Sequence, residues 1–438
     1  MLGSKIRLTS VLASFVFVAA CGETDVILPG ERFDVRTGAA PATAVISRAA
    51  PISLPRQVLN NSWSHRAGNA THIMPHASLA ASPALVWRAD IGQGNGRKHR
   101  ITADPVAAEG RIFTLDSRAL LVATSTGGAR LWQRDLTRSS DNADDASGGG
   151  LAVVGGTVFA ATGFGQISAV NAATGQVLWQ QKVDAPISGA PTISGGQVYL
   201  TTRDSRGWVL DAHNGRLRWQ VAGAPSVAGI SGGAGPAVGN SLAIFPFSST
   251  QVTAAFRKEG FEAWQSSVAG GRLGTGYARI ADISGPPIIS GNRVYLGNPG
   301  GRSVALDLTS GNRLWTADVG AIGPAVLAGG ALFSVSDDAR LVRLSARDGQ
   351  IVWAVPLPDV VPTRTANRRR DIYVNHGPIL AGGRLWVASS DGALRSFNPV
   401  DGAQISQIDL GAGAASRPIV VGGVMYLVDV NGQLVALR

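Results

Sequence analysis

The chain has 438 residues, 45% of them hydrophobic and 16% charged, with a formal charge of +10. That length exceeds one ordinary compact domain unless the fold is a barrel, propeller or solenoid, and 56 glycines with few aromatics favour many short strands over long amphipathic helices. A single cysteine, Cys21, excludes an intrachain disulfide, a cysteine-rich metal site and a CxxC redox pair.

In chain order, Lys5 and Arg7 precede the apolar run LTSVLASFVFVAA, a signal-peptide pattern over residues 1–20. The run ends in VAAC, which resembles a bacterial lipobox and makes Cys21 the expected lipid-modified, palmitate-bearing residue. Gly22 follows instead of Asp, and by resemblance to enterobacterial sorting rules this sends the protein to the outer membrane, anchored on its periplasmic face. Without residues 1–20 the chain loses two basic and no acidic residues and stands at +8. Residues 21–60, rich in Ala, Pro, Arg and Thr, are predicted to be a flexible tether. Trp63 follows, and is predicted to pack on the surface of the domain that spans 61–438.

That domain repeats. A turn glycine followed four residues later by tryptophan recurs at Trp132, Trp179, Trp219, Trp264, Trp315 and Trp353, with spacings of 47, 40, 45, 51 and 38 residues. Each unit reads as four strands; PTIS, QVYLTT, GWVLDA and RLRWQV form one example. A four-stranded unit of about 40–45 residues is a propeller blade. Units begin near Asp104, Gly149, Ser188, Ser231, Ile283, Ile322, Asn375 and Ala415, which makes an all-β, eight-bladed propeller. The seventh unit has Ser406 in place of its tryptophan. The eighth stops after three strands, and ALVWRADI, with Trp87 at the expected position, is predicted to complete it and close the ring.

Motifs that carry chemistry are scarce. The six histidines lack zinc-motif spacing, and Pro75 separates His72 from His76. GQGNGR at 92–97 does not open a helix in a βαβ unit, so it is no phosphate loop. No Ser-His-Asp order or paired carboxylates stand out, DNADD at 141–145 reads as solvated loop, and so does the basic RTANRRR at 364–370. Nothing indicates a nucleic-acid platform. The residues predict no enzyme, no cofactor and no metal.

The phrase NAATGQVLW at 171–179 and its copies resemble the PQQ-type repeat of quinoprotein alcohol dehydrogenases, which hold pyrroloquinoline quinone over calcium. The adjacent-cysteine disulfide typical of those enzymes cannot form here, and Asn171, Asp211 and Asp307 sit at turns, once per blade, where they are predicted to cap the turn backbone. Lipobox, tether and eight such blades together resemble the BamB family of outer-membrane assembly lipoproteins. WSHRAGNATH, RITADPVAAEGRIFTLD and ISGPPIISGNRVYLGN look similar to alphaproteobacterial members in particular. The resemblance implies a non-catalytic scaffold of the β-barrel assembly complex that docks on the POTRA domains of BamA, joins the other subunits, and assists unfolded outer-membrane proteins. In that family two adjacent loops carry the contact. They match residues 226–235 and 270–285 here, where Ile230, Arg279, Asp282 and Ile283 fit family contact positions and Ser231 replaces an arginine. Two other functions stay compatible with the residues: a PQQ-dependent dehydrogenase-like quinoprotein, and a periplasmic ligand- or cell-wall-binding propeller.

Overall fold

The computed structural model describes residues 49–138, 140–142, 148–226, 232–271, 282–362 and 371–438. Among these, every regular element is a strand, and 32 strands form eight four-stranded antiparallel sheets. Blades 1 to 7 are contiguous, at 106–135, 149–182, 192–222, 237–267, 285–317, 326–356 and 375–409. Blade 8 takes three strands from 419–437 and its outermost strand, Leu85–Asp90, from near the other end of the chain. The pairing of Trp87 with Ala436, and of Ala84 with Arg438 through two main-chain bonds, seals the ring as the sequence predicts. In blade 3 the strands span Thr192–Ser194, Gln197–Thr201, Arg206–Asp211 and Leu217–Ala222, within a residue of the sequence reading.

The repeated phrase builds the joint between blades. Asn171 Oδ1 accepts from the main-chain N–H of Ala173 and Thr174, and Asp211 and Asp307 do the same for their own turns. This side-chain cap holds a tight turn whose glycine adopts φ near +72° at Gly175, a conformation that disfavours a Cβ. The glycine is needed twice over, because a Cβ at Gly175 would lie 2.7 Å from the Trp132 indole of the preceding blade. The same contact links Trp87 to Gly128, Trp179 to Gly215, Trp219 to Gly260, Trp264 to Gly311, Trp315 to Gly349 and Trp353 to Gly402. Five indoles also donate Nε1–H to a carbonyl of the next blade, as Trp132 does to Ala172 at 3.0 Å and Trp353 to Pro399 at 3.1 Å.

This geometry accounts for Ser406. Its indole would have to cover the turn between the third and fourth strands of blade 8, and that turn does not exist, because those two strands come from opposite ends of the chain. Ser406 Oγ instead bonds Ser396 Oγ at 2.6 Å within its own sheet.

Two sequence expectations are corrected by the segment from Ala49 to Ala81. The innermost strand of every blade is an edge whose outward backbone groups face the central channel and need partners. The segment supplies them as a strap along the inner edges of seven blades, and it meets blade 6 separately, through the third-strand residue Arg343. Asn60 Nδ2 donates to Val420 O, Trp63 and Ala107 exchange main-chain bonds, and Val153 N donates to Ser64 O, which engages blades 8, 1 and 2. Ile193 N donates to His65 Nε2, Val238 N to Ala70 O and Ile289 N to Thr71 O, in blades 3, 4 and 5. Arg343 of blade 6 grips the carbonyl of Ala50, and Ala77 N donates to Leu380 O of blade 7. Residues 49–60 are therefore docked on the ring, so a boundary at residue 60 falls inside the strap. Trp63 is 1% exposed in the core and does not lie on the surface.

Candidate functional site

Cys21, Ile230, Ser231, Arg279 and the basic stretch 364–370 lie outside the described residues. The bases of the two candidate loops are described, and they are adjacent. Ala234 N, closing the first loop, donates to Ile283 O, closing the second, at 3.3 Å. Gly233 also bridges to Gly189 of the neighbouring connection. The second loop is pinned at its start by Asn298 Nδ2, which donates to Val268 O at 2.9 Å and Gly270 O at 3.0 Å. At its end Ser284 Oγ bonds Ala321 O. Asp282 is 5% exposed and caps the N–H of Ile283, and the Ile283 side chain is buried with Ala234, Val268 and Ile289. These two residues hold the loop bases in place and present almost no surface of their own.

Beneath the loops lies a buried charged cluster that sequence reasoning missed. Arg66, from the strap, donates Nε–H to Asp104 Oδ2 at 3.0 Å and Nη1–H to the carbonyls of Gly232 and Gly233, both at 2.8 Å. The strap thus holds the base of the first candidate loop from inside the channel. Asp104 accepts from the main-chain N–H of Arg417 on its other oxygen, at 2.8 Å. Arg417 is 4% exposed, and its Nη2 donates to Gly377 O at 3.2 Å. Burial lowers the Arg417 pKa to about 10, with Asp104 opposing and Arg66 adding to the shift, so the guanidinium stays charged at neutral pH. Burial likewise lowers His376 to about 4, leaving it neutral beside the cluster. In the strap, burial lowers His65 to about 4 and His72 to about 3. His72 Nδ1 bonds Pro287 O at 2.7 Å, and His65 accepts from Ile193 as a neutral ring must.

A sequence signal for the cluster exists. Seven innermost strands have a residue followed by proline at or near their start: Asp104, Ala190, Gly235, Gly285, Gly323, Gly377 and Arg417. Five of these are Gly or Ala; the two charged exceptions meet where blade 8 adjoins blade 1. Chemically, the cluster can hold strap, ring closure and loop base together. Among the described residues no group of three or more His, Cys, Asp or Glu side chains could hold a metal ion. No described helix is long and apolar enough to cross a membrane.

Comparison with known proteins matches residues 121–355 and 362–438 to the family model of outer membrane protein assembly factor BamB. The BamB of Yersinia pestis is 25% identical over 369 residues, covering 83% of this chain and 91% of that protein. The BamB of Escherichia coli K12 is 23% identical over 370 residues, with 83% and 91% covered. Among solved structures, BamB from Moraxella catarrhalis superposes with a TM-score of 0.66 at 18% identity, over 82% of this chain and all of that one. A quinohemoprotein alcohol dehydrogenase from Comamonas testosteroni superposes with a TM-score of 0.65 at 14% identity, over 87% and 81%. At those identities the superpositions establish a shared propeller fold and nothing about chemistry.

Proposed function

The chain belongs to the BamB family of outer membrane protein assembly factors, and from that membership we propose that it is a non-catalytic docking subunit of the β-barrel assembly complex. In this reading the paired loops 226–235 and 270–285 bind the POTRA domains of BamA, and the lipid on Cys21 holds the protein at the periplasmic face of the outer membrane. The observation that carries the loop assignment is the direct bond between the two loop bases, Ala234 to Ile283, braced from below by Arg66. Loops that exceed what a turn requires, on a rigid ring, are where recognition concentrates. With Asp282 and Ile283 buried, the contact falls in this reading to other residues of the two loops, Ile230 and Arg279 among them by family position. The dehydrogenase alternative rests on likeness of fold alone.

Co-purification of the mature protein with the BamA POTRA domains tests this reading. Arg279→Glu is expected to abolish the complex while leaving the unfolding midpoint unchanged. An unaltered complex with that variant sinks the loop assignment; absence of a complex with the wild-type chain sinks the function.

A further inference from the structure

The buried cluster does not balance its charge. Arg66 and Arg417 share one carboxylate, and both oxygens of Asp104 are already committed, one to the Arg66 side chain and one to the main-chain N–H of Arg417. The Arg417 guanidinium, 4% exposed, therefore receives a single carbonyl, Gly377 O, while its Nε and Nη1 have no protein partner. His376 is neutral, and among the described residues the charges that act on Arg417 are those of Asp104 and Arg66. A buried guanidinium with two unsatisfied donors is costly, the more so because the group is charged. The guanidinium is closely packed on its Nη2 side, where a Cβ at Gly323 would lie 2.7 Å from Nη2.

We propose that the propeller channel holds a small monovalent inorganic anion of halide size against Nε and Nη1 of Arg417. The anion supplies the missing negative charge and the two missing acceptors at once, which a neutral water, with one fewer unit of charge, does not. It completes a line of bonds that runs from blade 8 through Asp104 and Arg66 to the carbonyls of Gly232 and Gly233. The inference stands apart from the family reading, since it concerns the interior of the ring and needs no partner.

Bromide is the probe. Crystals of the mature protein grown in sodium bromide are expected to show an anomalous peak within hydrogen-bond distance of Arg417 Nη1. In solution, at constant ionic strength with gluconate as the bulky replacement, each tenfold rise in bromide above its dissociation constant is expected to raise the unfolding free energy by about 1.4 kcal/mol. Arg417→Met is expected to remove that dependence while Arg279→Glu keeps it. A site filled by water without anomalous signal, or a wild-type stability indifferent to bromide, overturns the proposal. Should Arg417→Met fail to fold, the two wild-type measurements decide it alone.

Discussion

The rim and the channel of this propeller are built on opposite principles. At the rim, one local device recurs: an indole over the turn glycine of the next blade, seven times around the ring, with a gap only where the receiving turn is missing. The channel is lined instead by a single aperiodic strap, which accepts main-chain bonds from blades 2, 4 and 5 but uses the side chains of His65 and Asn60 at blades 3 and 8, and one carboxylate, Asp104, joins blade 8, blade 1 and the strap. A rim staple is one of seven, whereas the channel cluster has no duplicate, so damage to the channel is expected to cost more and to spread further.

Acid should break the channel first. His65, His72 and His376 have folded-state pKa values lowered by burial to about 4, 3 and 4. Below the unfolded value near 6.5, the unfolded chain takes up protons that the folded one refuses. Stability is therefore complete above pH 6.5 and falls as pH drops towards 4, at up to about 1.4 kcal/mol per pH unit for each ring. Summed over three rings, urea unfolding at pH 5 should show a loss of roughly 5 kcal/mol against pH 7. A flat profile between those values contradicts the burial of these rings in neutral form. Next, Asp104→Asn should cost about 3–5 kcal/mol, because it breaks the ion pair with Arg66 and removes the negative charge that acts on the buried Arg417 guanidinium. The readout is the urea midpoint, with loss of Trp87 fluorescence burial as a sign that the ring has opened.

At the rim, Trp353→Ala should cost about 3–4 kcal/mol, since that indole is 0% exposed and its removal leaves a cavity beside Gly402. If Trp353→Ala destabilised more than Asp104→Asn, the contrast between repeated and unrepeated regions would fail. Arg130 pairs with Asp90 of the closing strand at 2.5 Å, but both side chains are about half exposed, 41% and 55%. Arg130→Ala should therefore shift the midpoint by no more than about 1 kcal/mol, and 1 M salt should erase the difference. Ser406→Trp should likewise cost no more than about 1 kcal/mol, from loss of the Ser396 hydroxyl's partner, since the indole has no turn to cover. A gain above 1 kcal/mol in that variant would show that blade 8 does offer a seat for an indole.

Much of the rim was legible in advance because its code is local. Turn glycine, capping Asn or Asp and tryptophan stand within ten residues of one another, so blade count, strand boundaries and even the closing strand with Trp87 could be read from spacing alone. The family positions of the two loops were legible too, through resemblance. Burial of Asp282 and Ile283 was not, because it arises from the packing of one inter-blade connection against the next, Ala234 against Ile283. The strap left still less trace. Residues 49–60 have the composition of a tether, and Trp63 gives no sign of its partner.

The sequence by itself determined the unit, its number and the ring, since each blade is specified by a contiguous segment whose turns and apolar alternation are short-range. Only the tertiary structure decided what fills the ring. Asn60 meets Val420, Arg417 meets Asp104 and Arg66 meets Gly233 across 360, 313 and 167 residues of chain. Such partners are chosen by which unpaired edges and charges the closed ring leaves facing its channel, a condition that does not exist until the ring has closed.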